Sequence, residues 1–188
     1  MYNDPMLTPS SLRRLGIGAA GALLVLAGIA AWHHVPALRI AAALVGVRAA
    51  IRNVKHISTA ELSAWRADPI RVPPLLLDVR EPAEFAVSHL PGARNVPWGS
   101  GWQLALRDIP RTQAIVVYCS IGYRSSVLAR KLEQAGFVQV VNLEGSIFKW
   151  ASESRPLIGP DGRAATVVHP YDTTWGSLIA PSMRAPLP

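Results

Sequence analysis

Two kinds of hydrophobic pattern divide the chain. Residues 15–32 form one apolar run without a charged side chain. Residues 57–157 instead contain short apolar runs that alternate with mixed stretches bounded by glycine, proline and charged residues. Short runs of this kind are typical of strands buried on both faces of a parallel sheet. The pattern therefore predicts an apolar N-terminal segment followed by an α/β domain with a parallel sheet.

The α/β domain is expected to alternate strands with short helices. Strands are predicted at residues 75–79, 114–118 and 138–143. Helices are predicted at residues 58–66, from residue 81 onwards, and at residues 125–135. Ser58 and Glu61 have the spacing of a capping box, and Gly136 is suited to a helix end. Because the connections are short, we expect helices on both faces of the sheet.

The apolar run 15–32 is just long enough to cross a membrane. At about 1.5 Å per residue it spans roughly 27 Å of a hydrocarbon core about 30 Å thick. Trp32 at its end is typical of a membrane interface. A cleaved signal peptide, indicated by Arg13 and Arg14, and a buried helix of the folded protein are the alternatives. We predict a transmembrane helix at 15–32, preceded by an N-terminal tail at 1–14.

Residues 33–56 are more basic than the run that precedes them. Arg39 and Arg48 interrupt the apolar side chains, which makes a second membrane span unfavourable. The segment is interpreted as a basic amphipathic helix on the bilayer, as the returning arm of a hairpin, or as a linker. Lys and Arg are more frequent after the run 15–32 than before it. We therefore expect a membrane location with the domain on the cytoplasmic face, and a periplasmic domain as the alternative.

Charge and cysteine content narrow the classes of function. The 188-residue chain has a net charge of +7, but residues 57–157 contain eleven Lys or Arg against nine Asp or Glu. Since most of the basic excess lies outside the domain, we predict no nucleic-acid partner. The single cysteine, Cys119, excludes an intrachain disulfide and a multi-cysteine metal site. We expect neither a metal nor another cofactor.

Cys119 lies directly after the predicted strand 114–118 and directly before a helix. In parallel sheets, chemistry gathers at the carboxyl ends of strands. The loop 119–124, with the sequence C-S-I-G-Y-R, is called the Cys119 loop. Gly122 allows a positive φ that turns backbone N–H groups inward, and Arg124 and the helix N-terminus add positive charge. Because this field stabilises a thiolate, we predict that Cys119 is a reactive thiol.

Three motifs resemble the rhodanese family. They are L-L-D-V-R-E-P-A-E-F, the Cys119 loop, and N-L-E-G-S-I-F-K-W, in this order. The resemblance covers residues 57–157 and implies a parallel five-stranded sheet flanked by helices. It also implies that Cys119 is the catalytic nucleophile and carries sulfur as a persulfide. The implied substrate-binding cradle consists of Ser120, Ile121, Gly122, Tyr123 and Arg124. Departures from the family pattern, at residues 88–90 and 144–146, lie outside the Cys119 loop.

The function implied by this resemblance is that of a rhodanese-type sulfurtransferase. Sulfane sulfur would pass from thiosulfate or a persulfide, through Cys119, to a thiol or cyanide. The implied partners are a small sulfur-containing anion or persulfide donor, a thiol acceptor and a membrane. The alternative is a non-catalytic, membrane-tethered rhodanese-like binding or regulatory module. A cysteine phosphatase is less favoured, because related loops place Arg six residues after Cys, whereas Arg124 follows Cys119 by five.

Two further groups of residues are assigned to the scaffold. The resemblance implies that charged and polar residues at the end of the strand 75–79 and in the following turn mostly hold that strand end and turn in place by ion pairing. These residues are Asp78, Arg80, Glu81, Glu84 and His89. The proline-rich tail 158–188 is too apolar in its middle for a free linker. We expect its Tyr171 and Trp175 to pack onto the domain.

Overall fold

The computed structural model describes residues 21, 22, 24 and 36–187. The chain forms two compact units, residues 1–36 and residues 37–188. The predicted tail 1–14 lies outside the described residues. The predicted transmembrane helix 15–32 also lies outside them, apart from the three residues named above.

The described residues 36–187 form helices and short strands. In chain order they are α1 (Pro36–Ala50), β1 (His56–Ile57), α2 (Thr59–Ala67), β2 (Leu75–Asp78), α3 (Pro82–Val87), β3 (Arg94–Asn95), α4 (Trp102–Ala105), β4 (Ile115–Tyr118), α5 (Tyr123–Gln134), β5 (Val140–Leu143), α6 (Ser146–Ser152), β6 (Leu157–Ile158), β7 (Ala164–Ala165) and α7 (Thr173–Gly176). A 3₁₀ helix, Pro181–Met183, follows α7.

Five strands form one parallel sheet in the order β1-β5-β4-β2-β3. At its centre, Val116 of β4 pairs with Leu76 of β2 and with Val141 of β5. The strands β6 and β7 form a separate antiparallel pair. The predicted parallel five-stranded sheet flanked by helices is confirmed.

Side chains on the two sides of β4 belong to two hydrophobic clusters. Val116 and Tyr118 belong to the cluster that includes buried residues of α1, α2 and α6. Ile115 and Val117 belong to the other cluster, to which α5 contributes. Because successive side chains of a strand point to opposite faces, β4 is buried on both sides. The central strand is therefore well anchored at the point where the Cys119 loop begins.

Helix α1 packs against the domain. Its Ile40 and Val47 are buried in the same cluster as Val116. Arg39 donates hydrogen bonds to the carbonyl and the hydroxyl of Ser177, at 2.8 and 2.6 Å. The segment 33–56, interpreted from sequence as a basic amphipathic helix or a linker, thus contributes a helix whose apolar and basic residues bind other parts of this unit.

No helix among the described residues is both long enough and apolar enough to cross a membrane. This finding contradicts the predicted membrane location, and the predicted transmembrane helix and membrane partner are left without support. Helix α1 lies within the described residues but is not the predicted span. Its 15 residues span only about 22 Å, and Ile40 and Val47 are directed into a protein core.

The tail beyond residue 158 is held mainly by aliphatic side chains. Val168, Leu178 and Ile179 are buried in the cluster that contains Val116. Tyr171 and Trp175, which were expected to pack onto the domain, remain 47% and 39% exposed. The two aromatic rings are thus available to line a surface pocket.

Candidate active site

The Cys119 loop holds its sulfur in a fixed and buried position. Cys119 is only 1% exposed. The backbone N–H of Gly122 donates to the Cys119 Sγ at 3.1 Å. The Cys119 N–H donates to the Ser146 hydroxyl at 3.2 Å, and its carbonyl accepts from the N–H of Ile147. The loop is therefore fixed to the first turn of α6 as well as to β4.

Gly122 adopts a conformation that other residues rarely adopt. Its φ is 114°, and a Cβ atom added there would lie 3.3 Å from the Asn142 amide nitrogen. The Gly122 carbonyl accepts hydrogen bonds from both the N–H and the hydroxyl of Ser126. These contacts begin α5, whose first N–H groups have no acceptor within the helix. The helix N-terminus therefore favours negative charge close to Cys119.

Arg124 is bound by Glu84 in a bidentate ion pair. Its Nη1 and Nη2 donate to the two carboxylate oxygens at 2.9 and 3.0 Å. The Arg124 Nη2 also donates to the Ser120 hydroxyl, which itself donates to Glu84 at 3.1 Å. The two charged side chains are only 16% and 3% exposed. The charge of Arg124 is thus compensated, and Glu84 helps to hold Ser120 and Arg124 together.

Both members of this ion pair are stabilised in their charged forms. Burial acts to lower the pKa of Arg124, but hydrogen bonding to Glu84 and the charge of an ionised Cys119 raise that pKa above its ordinary value. Burial acts to raise the pKa of Glu84, but hydrogen bonding and attraction to Arg124 lower that pKa overall. The pair therefore remains ionised near neutral pH.

Glu84 reaches the Cys119 loop because of the way α3 begins. The backbone N–H of Glu81 donates to the Glu84 carboxylate at 3.0 Å, and Pro82 starts the helix. The strand β2, which precedes α3, lies beside β4. The first turn of α3 and the Cys119 loop therefore follow neighbouring strands. The sequence had assigned Glu84 to the scaffold, and no motif linked it to the loop.

A second ion pair lies deeper in the protein. Arg80 and Asp78 are both fully buried, with 2.6 Å between Nη2 and Oδ2. Arg80 also donates to the Ser88 carbonyl at 2.7 Å. The pair thus links the end of β2 to the residues that follow α3. His89, beyond this turn, stacks on Phe85 with 3.8 Å between ring centroids.

A pocket of about 510 Å³ opens over the Cys119 loop. Its lining is almost entirely apolar and comes from α1, the loop and the tail. The lining residues are Ala43, Gly46, Val47, Cys119, Ser120, Ile121, Tyr123, Arg124, Tyr171 and Trp175. A thiol in this position, with a backbone N–H directed at its sulfur, can act as a nucleophile toward a molecule in the pocket.

The structure brings the six residues predicted from the sequence together. Five of them line the pocket, and Gly122 donates to the sulfur. The sequence reasoning missed the contributions of α1 and the tail to this pocket. Tyr171 and Trp175 could have indicated the contribution of the tail, since they are aromatic residues in an otherwise unassigned segment. Nothing in the sequence around Ala43 and Gly46 could have indicated the contribution of α1.

Comparisons with known proteins agree with this fold and place the chain in a family. Residues 58–153 match the sequence profile of the rhodanese-like domain. The chain is 36% identical over 109 residues to a sulfurtransferase of Allochromatium vinosum, which covers 58% of this chain and 99% of that protein. It is 37% identical over 84 residues to the probable adenylyltransferase/sulfurtransferase MoeZ of Mycobacterium tuberculosis, covering 43% of this chain but 21% of MoeZ.

A solved structure shows the same fold. The BH2092 protein of Bacillus halodurans matches with a TM-score of 0.56 and 22% identity, covering 66% of this chain and 89% of that one. The fold is therefore an α/β fold with a parallel sheet, and the cysteine loop follows the central strand of that sheet. The chain belongs to the rhodanese-like domain family.

Proposed function

We propose that the protein is a sulfurtransferase in which Cys119 carries sulfane sulfur as a persulfide. The names of the relatives support sulfur transfer in general. The observation that carries the specific proposal is the position of the Cys119 sulfur, which accepts a hydrogen bond from the Gly122 N–H at 3.1 Å and adjoins a pocket.

The first half-reaction loads the cysteine. The Cys119 thiolate attacks the outer sulfur of a donor such as thiosulfate, and a new S–S bond forms. The bond between the two donor sulfurs breaks, and sulfite leaves with the bonding electrons. Cys119 reacts as its thiolate, and the attack itself transfers no proton.

The second half-reaction unloads the cysteine. A thiolate acceptor attacks the outer sulfur of the Cys119 persulfide and becomes a persulfide itself, while Cys119 leaves as a thiolate. With cyanide as the acceptor, the product is thiocyanate. In both halves the negative charge stays close to the Gly122 N–H and the N-terminus of α5. Stabilisation of that charge is the contribution we assign to the loop backbone.

The Arg124–Glu84 ion pair is proposed to position the loop. It fixes the Ser120 hydroxyl through two hydrogen bonds. Since the charge of Arg124 is compensated, we do not assign it the binding of a free anion. A small inorganic donor is therefore held mainly by backbone N–H groups.

Turnover with a sulfane donor and a thiol acceptor tests the proposed function. Wild type is expected to transfer sulfur from thiosulfate or an organic donor to a small thiol, measured as sulfide released from the acceptor persulfide. Cys119→Ser is expected to abolish transfer. Wild type without turnover on any donor would support the binding-module alternative, and equal turnover by Cys119→Ser would exclude Cys119 as the carrier.

A further inference from the structure

The outer walls of the pocket come from segments that flank the family match at residues 58–153. Helix α1 supplies Ala43, Gly46 and Val47, and the tail supplies Tyr171 and Trp175. The hydrogen bonds from Arg39 to Ser177 connect these two segments at 2.6 and 2.8 Å. Part of the wall over Cys119 is therefore built by segments of the chain that lie outside the matched domain.

The chemistry of this lining does not suit a small, highly charged anion. Arg124 is the lining residue with a positive charge, and its guanidinium is bound bidentately by Glu84. The Arg124 guanidinium carbon also lies 5.0 Å from the centroid of the Tyr171 ring. Moving an inorganic dianion from water into an apolar pocket costs free energy unless a charged partner is available.

The size of the pocket also exceeds what such an anion requires. About 510 Å³ lies in the range of roughly 300–1,000 Å³ usual for pockets that hold organic ligands. Apolar walls around one reactive atom are typical of a site that recognises the organic part of its substrate. An aromatic ring or a branched alkyl group in this pocket would have residues of α1 and Trp175 among its neighbours.

The backbone of the tail supports a defined role for the aromatic residues. Tyr171 has a φ of 69°, in the left-handed region that a bulky residue adopts only at a cost. Its N–H donates to the His169 Nδ1 at 3.0 Å, and the N–H of Trp175 donates to the Asp172 carboxylate at 2.8 Å. The fold thus maintains a strained residue at the edge of the pocket, as is frequent at ligand-binding positions.

We propose that this pocket selects sulfane-sulfur donors whose leaving group carries an apolar substituent, either aromatic or branched alkyl. The inference rests on the proposed sulfur transfer by Cys119 and specifies its substrate class. With an organic thiosulfonate, the Cys119 thiolate attacks the terminal sulfur and forms an S–S bond. The bond between that sulfur and the sulfonyl sulfur breaks, and an organic sulfinate leaves with the bonding electrons.

The test compares donors with the same reactive sulfur and different substituents. Thiosulfate, methanethiosulfonate and benzenethiosulfonate are each used to load Cys119, and kcat/KM is measured for each donor. Wild type is compared with Gly46→Leu, because a Cβ at Gly46 meets nothing within 4 Å and the longer side chain extends into the pocket. Ala42→Leu, on an exposed position of the same helix, is the matched control.

Gly46→Leu is expected to lower the ratio of kcat/KM for benzenethiosulfonate to that for thiosulfate by about tenfold or more, since contacts in an apolar pocket discriminate by about this factor. Ala42→Leu is expected to leave the ratio unchanged. Intrinsic differences in donor reactivity cancel, because the same ratio is compared between variants. An unchanged ratio in Gly46→Leu would overturn the inference, while sulfur transfer by Cys119 would stand.

A binding measurement separates this inference from the proposed function. Benzenesulfonate, which has no sulfur to transfer, is titrated into Cys119→Ser and into Cys119→Ser with Gly46→Leu. Binding that is weakened about tenfold by Gly46→Leu would support an apolar ligand pocket even if no donor loaded Cys119. Absence of binding to Cys119→Ser, or equal binding to both variants, would overturn it.

Discussion

Among single residues, Gly122 has the most specific task, since its N–H is directed at the Cys119 sulfur. A side chain at φ 114° is strained, and its Cβ would also crowd Asn142 at 3.3 Å. We expect Gly122→Ala to cost about 1–2 kcal/mol of stability and to abolish loading of Cys119. Thermal unfolding and intact mass after incubation with a donor measure the two effects.

Gly136→Ala is the control for this prediction. Gly136 also has a positive φ, 91°, but a Cβ there meets nothing within 4 Å. We expect Gly136→Ala to lose a similar amount of stability and to load normally. Normal loading by Gly122→Ala would show that the loop does not need this backbone conformation.

Glu84 provides a prediction for pH dependence. Because Arg124 lowers the pKa of Glu84 below its ordinary value of 4.5, the folded state binds the Glu84 proton less readily than the unfolded state. The stabilisation is therefore fully present above about pH 4.5 and is lost as the pH falls through the folded-state pKa. We expect wild type to be more stable than Glu84→Gln at neutral pH, with a difference that shrinks on acidification. Urea unfolding over this pH range measures it, and a constant difference would contradict the account.

The residue scale also shows what the sequence could reveal about the site. The Cys119 loop is one contiguous segment, so its strand end, glycine and arginine could be identified together. Glu84 lies 40 residues before Arg124, and nothing local to either residue indicates their contact. Only the pairing of β2 with β4 brings them together.

At the scale of elements, α1 belongs to the hydrophobic core although it lies outside the matched domain. Ile40 is 4% exposed and Leu38 is 50% exposed on the same helix. We expect Ile40→Ala to cost about 2–4 kcal/mol, because a buried aliphatic side chain leaves a cavity. Leu38→Ala is expected to change stability by less than about 0.5 kcal/mol. Denaturant unfolding tests both, and equal small effects would mean that α1 does not pack as described.

The strands differ in how far the sequence predicts them. β2, β4 and β5 lie within continuous apolar runs, which mark strands buried on both faces. β1 and β3 have two residues each, too few to produce a pattern. The packing of α1 could not be predicted, because its apolar residues do not form a single stripe along the helix. Two of them are exposed, Leu38 and Val45, and two are buried, Ile40 and Val47.

At the scale of the whole molecule, residues on both sides of the family match join the domain in one compact unit. Ile40 before the match and Ile179 after it are buried in the same cluster. The family resemblance could predict the sheet and the cysteine, because these lie within the motifs. The pocket walls could not be predicted, since they depend on how two sequence-distant flanks pack beside the Cys119 loop.

The central claim is that Cys119 carries sulfur as a covalent persulfide, and intact-protein mass spectrometry tests it most directly. The protein is incubated with thiosulfate or benzenethiosulfonate, the excess donor is removed, and the mass of the intact protein is measured. We expect a gain of about 32 Da, one sulfur atom, which is located on Cys119, is removed by cyanide and is absent in Cys119→Ser. No gain with either donor, or the same gain in Cys119→Ser, would contradict the account.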